Sequence, residues 1–405
     1  MSSSRKLSRQ SSAKLALRIA LAALAIAVGY YSITFSLARI IVKTNPELAL
    51  KLAPYDGLTA AAVSQALSGP RATASERQRS DELANLSLRR DPTMASAAAT
   101  LGVNADARGN AKAARRFFGY AHKLSRRNLL TQLWMIEDAV GRGNIAEALH
   151  QYDTTLRVFP KIGKLLFPVL AAASGEANIR SQLIKMLNND PPWSEGFIDY
   201  IASNGPDPEA TAVLFNGLRR DGVAISQYAQ TGLVNALLAA EKADAAWSFY
   251  ATIRPGAERE RSRDPKFAAG LEMPSQLDWV PISDGGLTTS ITPGLFDFAA
   301  PASVGGPLLQ QGQLLSPGAY RFIGHSIGVN QVDPALPYWI LRCSDGRELG
   351  RVVVSNSARA NGVFGGSFTV PTGCPVQILI LVAPPSDAIS GLAGQLDRAE
   401  LSPAR

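Results

Sequence analysis

The chain has 405 residues, 46% of them hydrophobic and 18% charged, with a formal net charge of +8. The apolar share excludes an intrinsically disordered chain and, at roughly 150 residues per domain, allows two or three cores. Five of the positive charges, Arg5, Lys6, Arg9, Lys14 and Arg18, precede residue 19 and leave only +3 for the remainder, which excludes a broad nucleic-acid-binding face.

The first predicted element follows that basic segment, residues 1–18. From Ile19 to Ala38 run twenty residues without a charge, bounded by Arg18 and Arg39. As a helix this run spans about 30 Å, the thickness of a hydrocarbon core, and residues 19–42 are predicted as a transmembrane helix. The flanking positive charges hold the N-terminus in the cytoplasm and place the bulk of the chain across the membrane, in the periplasm. The competing reading is a cleaved signal peptide, for which Ser36-Leu37-Ala38 offers small residues. The apolar run is longer than the usual signal core of about 7 to 15 residues, which favours a retained single-pass anchor in the inner membrane.

Helical patterning follows. GNAKAARRFFGYAHKLSRR begins at Gly109 and GNIAEALHQYDTTLRVFP at Gly143, 34 residues later. Each carries an alanine five residues after the glycine and an aromatic nine residues after it: Ala114 and Phe118, then Ala148 and Tyr152. Small residues recur at Ala121 and Thr155, and Leu101-Gly102 precedes the first copy. Upstream, SDELANLSLRRDP has the look of a degenerate earlier copy, and downstream Ala246 and Tyr250 stand in the same relation. This pattern resembles the tetratricopeptide repeat, in which small residues let helices approach and an aromatic fills the gap between repeats. The resemblance implies an α-solenoid over residues 58–255 that presents a surface to a protein partner. The alternative is an ordinary helical bundle. Positions that line the peptide groove in the family, here Val103, Asp106, Leu130, Leu133 and Glu137, are apolar or acidic, so a carboxylate clamp is not expected.

Charge concentrates in the first copy. Arg108, Lys112, Arg115, Arg116, Lys123, Arg126 and Arg127 lie in a stretch without any acidic residue from Ala107 to Ile136. Lys112, Arg115 and Arg116 share a helical face. The bland reading is a solvated face; the sharper one is a patch for an acidic polysaccharide, an anionic lipid or a partner protein.

After a charged linker, residues 256–269, the periodicity changes to alternation. LDWVPI, LTTSI, LFDF, AYRFIG, YWILRC, GRVVVS, GSFTV and VQILILV are short, β-branched or aromatic, and separated by turn residues. Eight or nine such strands over residues 270–403 predict an antiparallel, jelly-roll-like β-sandwich. Cys343 and Cys374, the only cysteines, fall at strand edges and in an oxidising compartment are expected to form a disulfide, two buried thiols being the alternative. Their spacing, without a second pair or clustered histidines, gives no zinc site. The sandwich resembles non-catalytic carbohydrate-binding modules, which makes Trp279, Tyr320, Tyr338 and Trp339 candidates for stacking on sugar rings; core packing is the default reading for each. Adjacent Tyr338 and Trp339 must face opposite sides of a strand.

Candidate chemistry is sparse. Gly324-His325-Ser326-Ile327-Gly328 spells a nucleophile elbow, yet VNQVDPALP follows where a helix is needed, and His325 is the last histidine of the chain. Asp278, Asp284 and Asp297 are conceivable paired carboxylates or ordinary turn and edge residues. No phosphate loop and no metal or cofactor motif is found, and no catalytic constellation. The sequence therefore predicts a multidomain chain: a transmembrane helix, an all-α tetratricopeptide-like solenoid and an all-β sandwich. Its expected role is that of an envelope scaffold or adaptor, with surface-polysaccharide synthesis or export as its setting. The alternatives are an envelope glycan-active enzyme using sandwich carboxylates, and a structural module without a ligand.

Overall fold

The computed structural model describes residues 3–404 apart from 387, 388 and 390. Side chains of residues 3–14 lie outside the described set, so the basic run of Arg5, Lys6, Arg9 and Lys14 is placed only as helix backbone. The chain forms two compact units, Met1–Ile162 and Gly163–Arg405.

The first unit is all helical. It begins with α1 (Ser3–Ile41), whose stretch Leu15–Ile41 is long and apolar enough to cross a membrane. A short α2 (Pro46–Leu52) follows, then three helix pairs: α3 (Gly57–Ala66) with α4 (Ala74–Arg90), α5 (Ala95–Ala107) with α6 (Ala111–Leu124), and α7 (Leu129–Gly141) with α8 (Ile145–Val158). Ala95 and Leu129, which open α5 and α7, stand 34 residues apart, as do Ala111 and Ile145 at the starts of α6 and α8.

The repeated Gly-Asn steps explain that spacing locally. Gly109 (φ +73°) and Gly143 (φ +67°) take the left-handed conformation that closes a helix, where a side chain is strained. Asn110 then caps α6 by accepting from the Ala113 N–H, and Asn144 caps α8 by accepting from the Glu147 N–H. Ala114, Phe118 and Ala121 face inward from α6, and Phe118 stacks on Trp134 of α7 with ring centroids 4.3 Å apart. Tyr152 and Thr155 are buried in the same way on α8.

The second unit opens with three further pairs: α9 (Gly163–Ala173) and α10 (Ala177–Leu187), α11 (Ser194–Asn204) and α12 (Pro208–Arg220), α13 (Gln227–Ala239) and α14 (Ala243–Ile253). First helices α9, α11 and α13 pack in one row and second helices α10, α12 and α14 in another. Among the described residues ten strands follow: β1 (Val280–Pro281), β2 (Thr288–Thr292), β3 (Leu295–Ala300), β4 (Gly306–Gln313), β5 (Gly318–Ile327), β6 (Tyr338–Cys343), β7 (Glu348–Val353), β8 (Val363–Val370), β9 (Gln377–Ala383) and β10 (Leu392–Pro403). They form two five-stranded antiparallel sheets, β1-β4-β9-β6-β7 and β2-β3-β10-β5-β8. The two inner faces share one core around Phe296, Phe322, Trp339, Phe368 and Leu379, so the layout is all-α followed by a β-sandwich. Cys343 at the end of β6 and Cys374 before β9 are joined in a disulfide.

Within the stretch expected as a linker, Ser262 and Arg263 are buried parts of the sandwich. The Ser262 N–H donates to the Leu401 carbonyl, and the Arg263 N–H to Gln311 of β4. A charged run such as ERERSRD reads as solvated because its long-range partners, Gln311, Gly312 and Gln313, carry no local signal.

Candidate functional site

Three regions carry the functional candidates, and the first is the distal end of α1. Ala38 is fully buried and, with Val42, packs on Ala49 and Ala53. Phe35, Ile41, Leu52, Leu58 and Ala62 pack around this cluster. Arg39 pairs with Asp56 at 2.9 Å, and Asp56 in turn accepts from the Leu58 N–H to cap α3. The apolar helix thus ends inside the packing of the first unit.

The second region is the basic stretch of α6 and the turn after it. All seven cations are exposed, but they are not equivalent. Arg108 pairs with Asp81 at 2.6 Å, and Arg115 pairs with Asp138 at 2.8 Å, a carboxylate that also holds Arg142. Among the described residues, Lys112, Arg116, Lys123, Arg126 and Arg127 form no ion pair. Arg116 lies instead over the Phe117 ring, 5.1 Å from its centroid. His122 sits among these groups, and its Nδ1 accepts from the Gln132 amide. Burial, then the nearby Arg126, holds His122 below its ordinary value.

The third region is the sandwich. Trp279, Tyr320 and Trp339 are core residues, which corrects the expectation that they offer stacking faces. Each is drawn inward by the apolar area it buries, and two of the polar tips find internal partners. The Trp279 indole donates to the Asp264 carbonyl and the Tyr320 hydroxyl to the Ser316 carbonyl. The alternation expected at Tyr338-Trp339 holds: Trp339 points inward, while Tyr338 is half-buried and carries the Arg351 guanidinium 4.0 Å from its ring centroid.

The three aspartates fall in separate surroundings. Asp284 sits in an exposed turn and accepts from the Gly285 N–H. Asp297 on β3 accepts from Gln395 on β10, at a cleft of about 420 Å³ lined also by Thr288, Ser290, Ile327 and Ala393. Asp278 is buried and accepts from the Tyr250 hydroxyl at 2.7 Å and from the Ser275 hydroxyl and N–H, with Arg254 at 3.5 Å. Beside it the guanidinium of Arg263 is satisfied by the Leu277 and Gly312 carbonyls and by Gln313. Burial pushes Arg263 down to about 10, opposed by Tyr250 and Asp278, so it remains charged at neutral pH. Burial and the Asp278 charge push the Tyr250 phenol up. The sequence offered no sign of this cluster beyond its isolated members.

The G-x-S-x-G segment is the end of strand β5, with no turn at the serine. Ser326 and His325 point to opposite faces, as neighbours on a strand must. The Ser326 hydroxyl meets the Ser357 hydroxyl at 3.0 Å, whereas His325 Nδ1 lies 2.7 Å from Asp397 and Nε2 lies 2.9 Å from the Asn361 carbonyl. Serine and histidine are therefore not a nucleophile and base pair.

No protein-family model and no curated protein matches the chain. Solved structures that resemble parts of it include the glycosylation-associated Gap123 complex of Streptococcus agalactiae, with 10% identity over 31% of this chain and 44% of that one. The enzymatically active domain of tailspike protein 4 from bacteriophage CBA120 shares 12% over 31% of this chain and 19% of that one. Accessory secretory proteins 1, 2 and 3 of Streptococcus pneumoniae share 13% over 38% of this chain and all of that one. The chain thus spans less than half the length of the first two. Each TM-score is 0.22, too low to transfer a fold or a function.

Proposed function

We propose that the chain is a membrane-anchored adaptor of the bacterial cell envelope. Its helical pairs engage a protein partner, and its sandwich engages glycan or protein during surface-polysaccharide synthesis or export. The observation that carries the anchor is the complete burial of Ala38 in the packing of α1 on α2 and α3. Cleavage after Ala38 would remove Phe35 and Ala38 from that cluster, so the packing favours a retained helix over a leader. The basic N-terminal run orients the helix with its N-terminus in the cytoplasm. The 34-residue spacing, the inward alanines and the Phe118–Trp134 stack support a tetratricopeptide-like solenoid, an architecture suited to holding partners.

With its tryptophans in the core, the sandwich offers a glycan the cleft over Asp297, Gln395, Thr288 and Ser290, in which a carboxylate, an amide and hydroxyls meet small apolar residues. The separate surroundings of Asp278, Asp284 and Asp297 favour binding over carboxylate catalysis. The test is a bacterial glycan array probed with the full-length protein and with Asp297→Ala. Retention of envelope polysaccharide by the native chain, lost in the variant, is the expected result. Silence of both proteins removes the glycan arm. In spheroplasts the sandwich is expected to be cleaved by added protease while α1 resists carbonate extraction; protection of the sandwich would overturn the orientation.

A further inference from the structure

The packing at the end of α1 bears on more than its retention. Phe35 lies four residues before Arg39, about 6 Å along a helix at 1.5 Å per residue, and is still inside the uncharged run. Yet Phe35 already packs on the cluster that α1 shares with α2 and the start of α3. The folded unit therefore begins before the apolar run ends. A boundary of the hydrocarbon layer drawn at Arg39 passes through this packing, and α2 with the turn 53–56 falls at the level of the lipid headgroups.

The side chains on this segment suit that level. Tyr55 is 76% exposed, Ile40 76% and Leu48 44%, although each stands beside a well-packed apolar cluster. Lys43 and Lys51 are exposed among them. Exposed apolar side chains at the end of α1 and on α2, a tyrosine in the turn after α2 and lysines at 43 and 51, next to a span, are the composition of an interfacial segment, and the one acidic residue of α2, Glu47, is paired with Arg79. Exposed lysines there reach anionic headgroups while their stems cover apolar surface.

We propose that the first unit is seated in the bilayer surface, with Ile40, Leu48 and Tyr55 against lipid and Lys43 and Lys51 among phosphate headgroups. This rests on the reading of α1 as a membrane span. The bilayer is the occupant because the surface is continuous with that span: only the tight turn 42–45, closed by the Asn45 N–H donating to the Ile41 carbonyl, lies between α1 and α2.

The native cysteines are paired with each other, so a single introduced cysteine carries a spin label alone. Full-length Tyr55→Cys and Leu48→Cys, labelled and reconstituted in phosphatidylethanolamine and phosphatidylglycerol vesicles, are read by their relative accessibility to oxygen and to a water-soluble nickel chelate. Tyr31→Cys reports the span, and Val140→Cys, an exposed position on α7, reports water. The seat requires oxygen-to-nickel ratios at 55 and 48 well above that at 140 and below that at 31. A lipid value at 31 with aqueous values at 55 and 48 overturns the seat and leaves the span standing. An aqueous value at 31 overturns both.

Discussion

Gly102 sets how closely α5 and α6 approach. A Cβ at this position would lie 2.8 Å from the Phe118 ring, closer than carbon atoms pack, and Phe118 is itself held between Gly102 and the Trp134 ring. Gly102→Ala is therefore expected to destabilise the first unit by about 1–3 kcal/mol through overpacking. The gain of about 1 kcal/mol from alanine's better helix propensity is smaller. Urea denaturation followed by circular dichroism decides the sign, and an unchanged or raised midpoint would show that the ring can move aside. Residues of this kind were legible in the sequence because the 34-residue spacing aligned Leu101-Gly102, Ala114 and Phe118 against a known packing pattern. The free and bound members of the basic stretch were not, since Asp81 and Asp138, which neutralise Arg108 and Arg115, come from α4 and α7.

At the level of elements, the strands were legible one by one, whereas the helices were legible singly only where the repeat is clear and otherwise as a region. Alternation exposed most of the sandwich but missed β4 and β10. The first, GPLLQQGQ, carries glycine and glutamine where apolar residues are expected, and its register shifts between Pro307 and Leu309. The second, LAGQLDRAELSP, is charged and shifts register between Leu396 and Arg398, which erases a two-residue period. Gln311 and Gln313 of β4 are buried because they bind Arg263, a partner 48 and 50 residues away. The cluster joining α14 to the sandwich should be correspondingly sensitive. Asp278→Ala leaves the Tyr250 hydroxyl and the Ser275 N–H without their acceptor and removes the charge that offsets Arg254 and Arg263. A loss of about 3–5 kcal/mol from the second unit is expected, measured by calorimetry. A loss under about 1 kcal/mol, the value of an exposed pair, would mean that water replaces the carboxylate.

For the whole molecule, the layout of an apolar helix, helical pairs and a sandwich followed from changes in sequence period, whereas the faces available for binding did not. Burial of Trp279, Tyr320 and Trp339 depends on how two sheets close over each other, which no local pattern states. The disulfide lies wholly within the sandwich and closes a loop of 31 residues, so reduction is expected to cost the second unit about 3–4 kcal/mol. The first unit contains no cysteine and its transition should stay in place; equal shifts in both would point to a general solvent effect. The burial of Ala38 and Val42 couples α1 mechanically to the helices it packs on. A helix joined to its domain by a slack tether can lean freely when the bilayer thickens or thins, but α1 cannot lean without carrying α2 and α3 with it. With α1 spanning the bilayer as proposed, hydrophobic mismatch would act as a torque on the whole first unit rather than on a free helix.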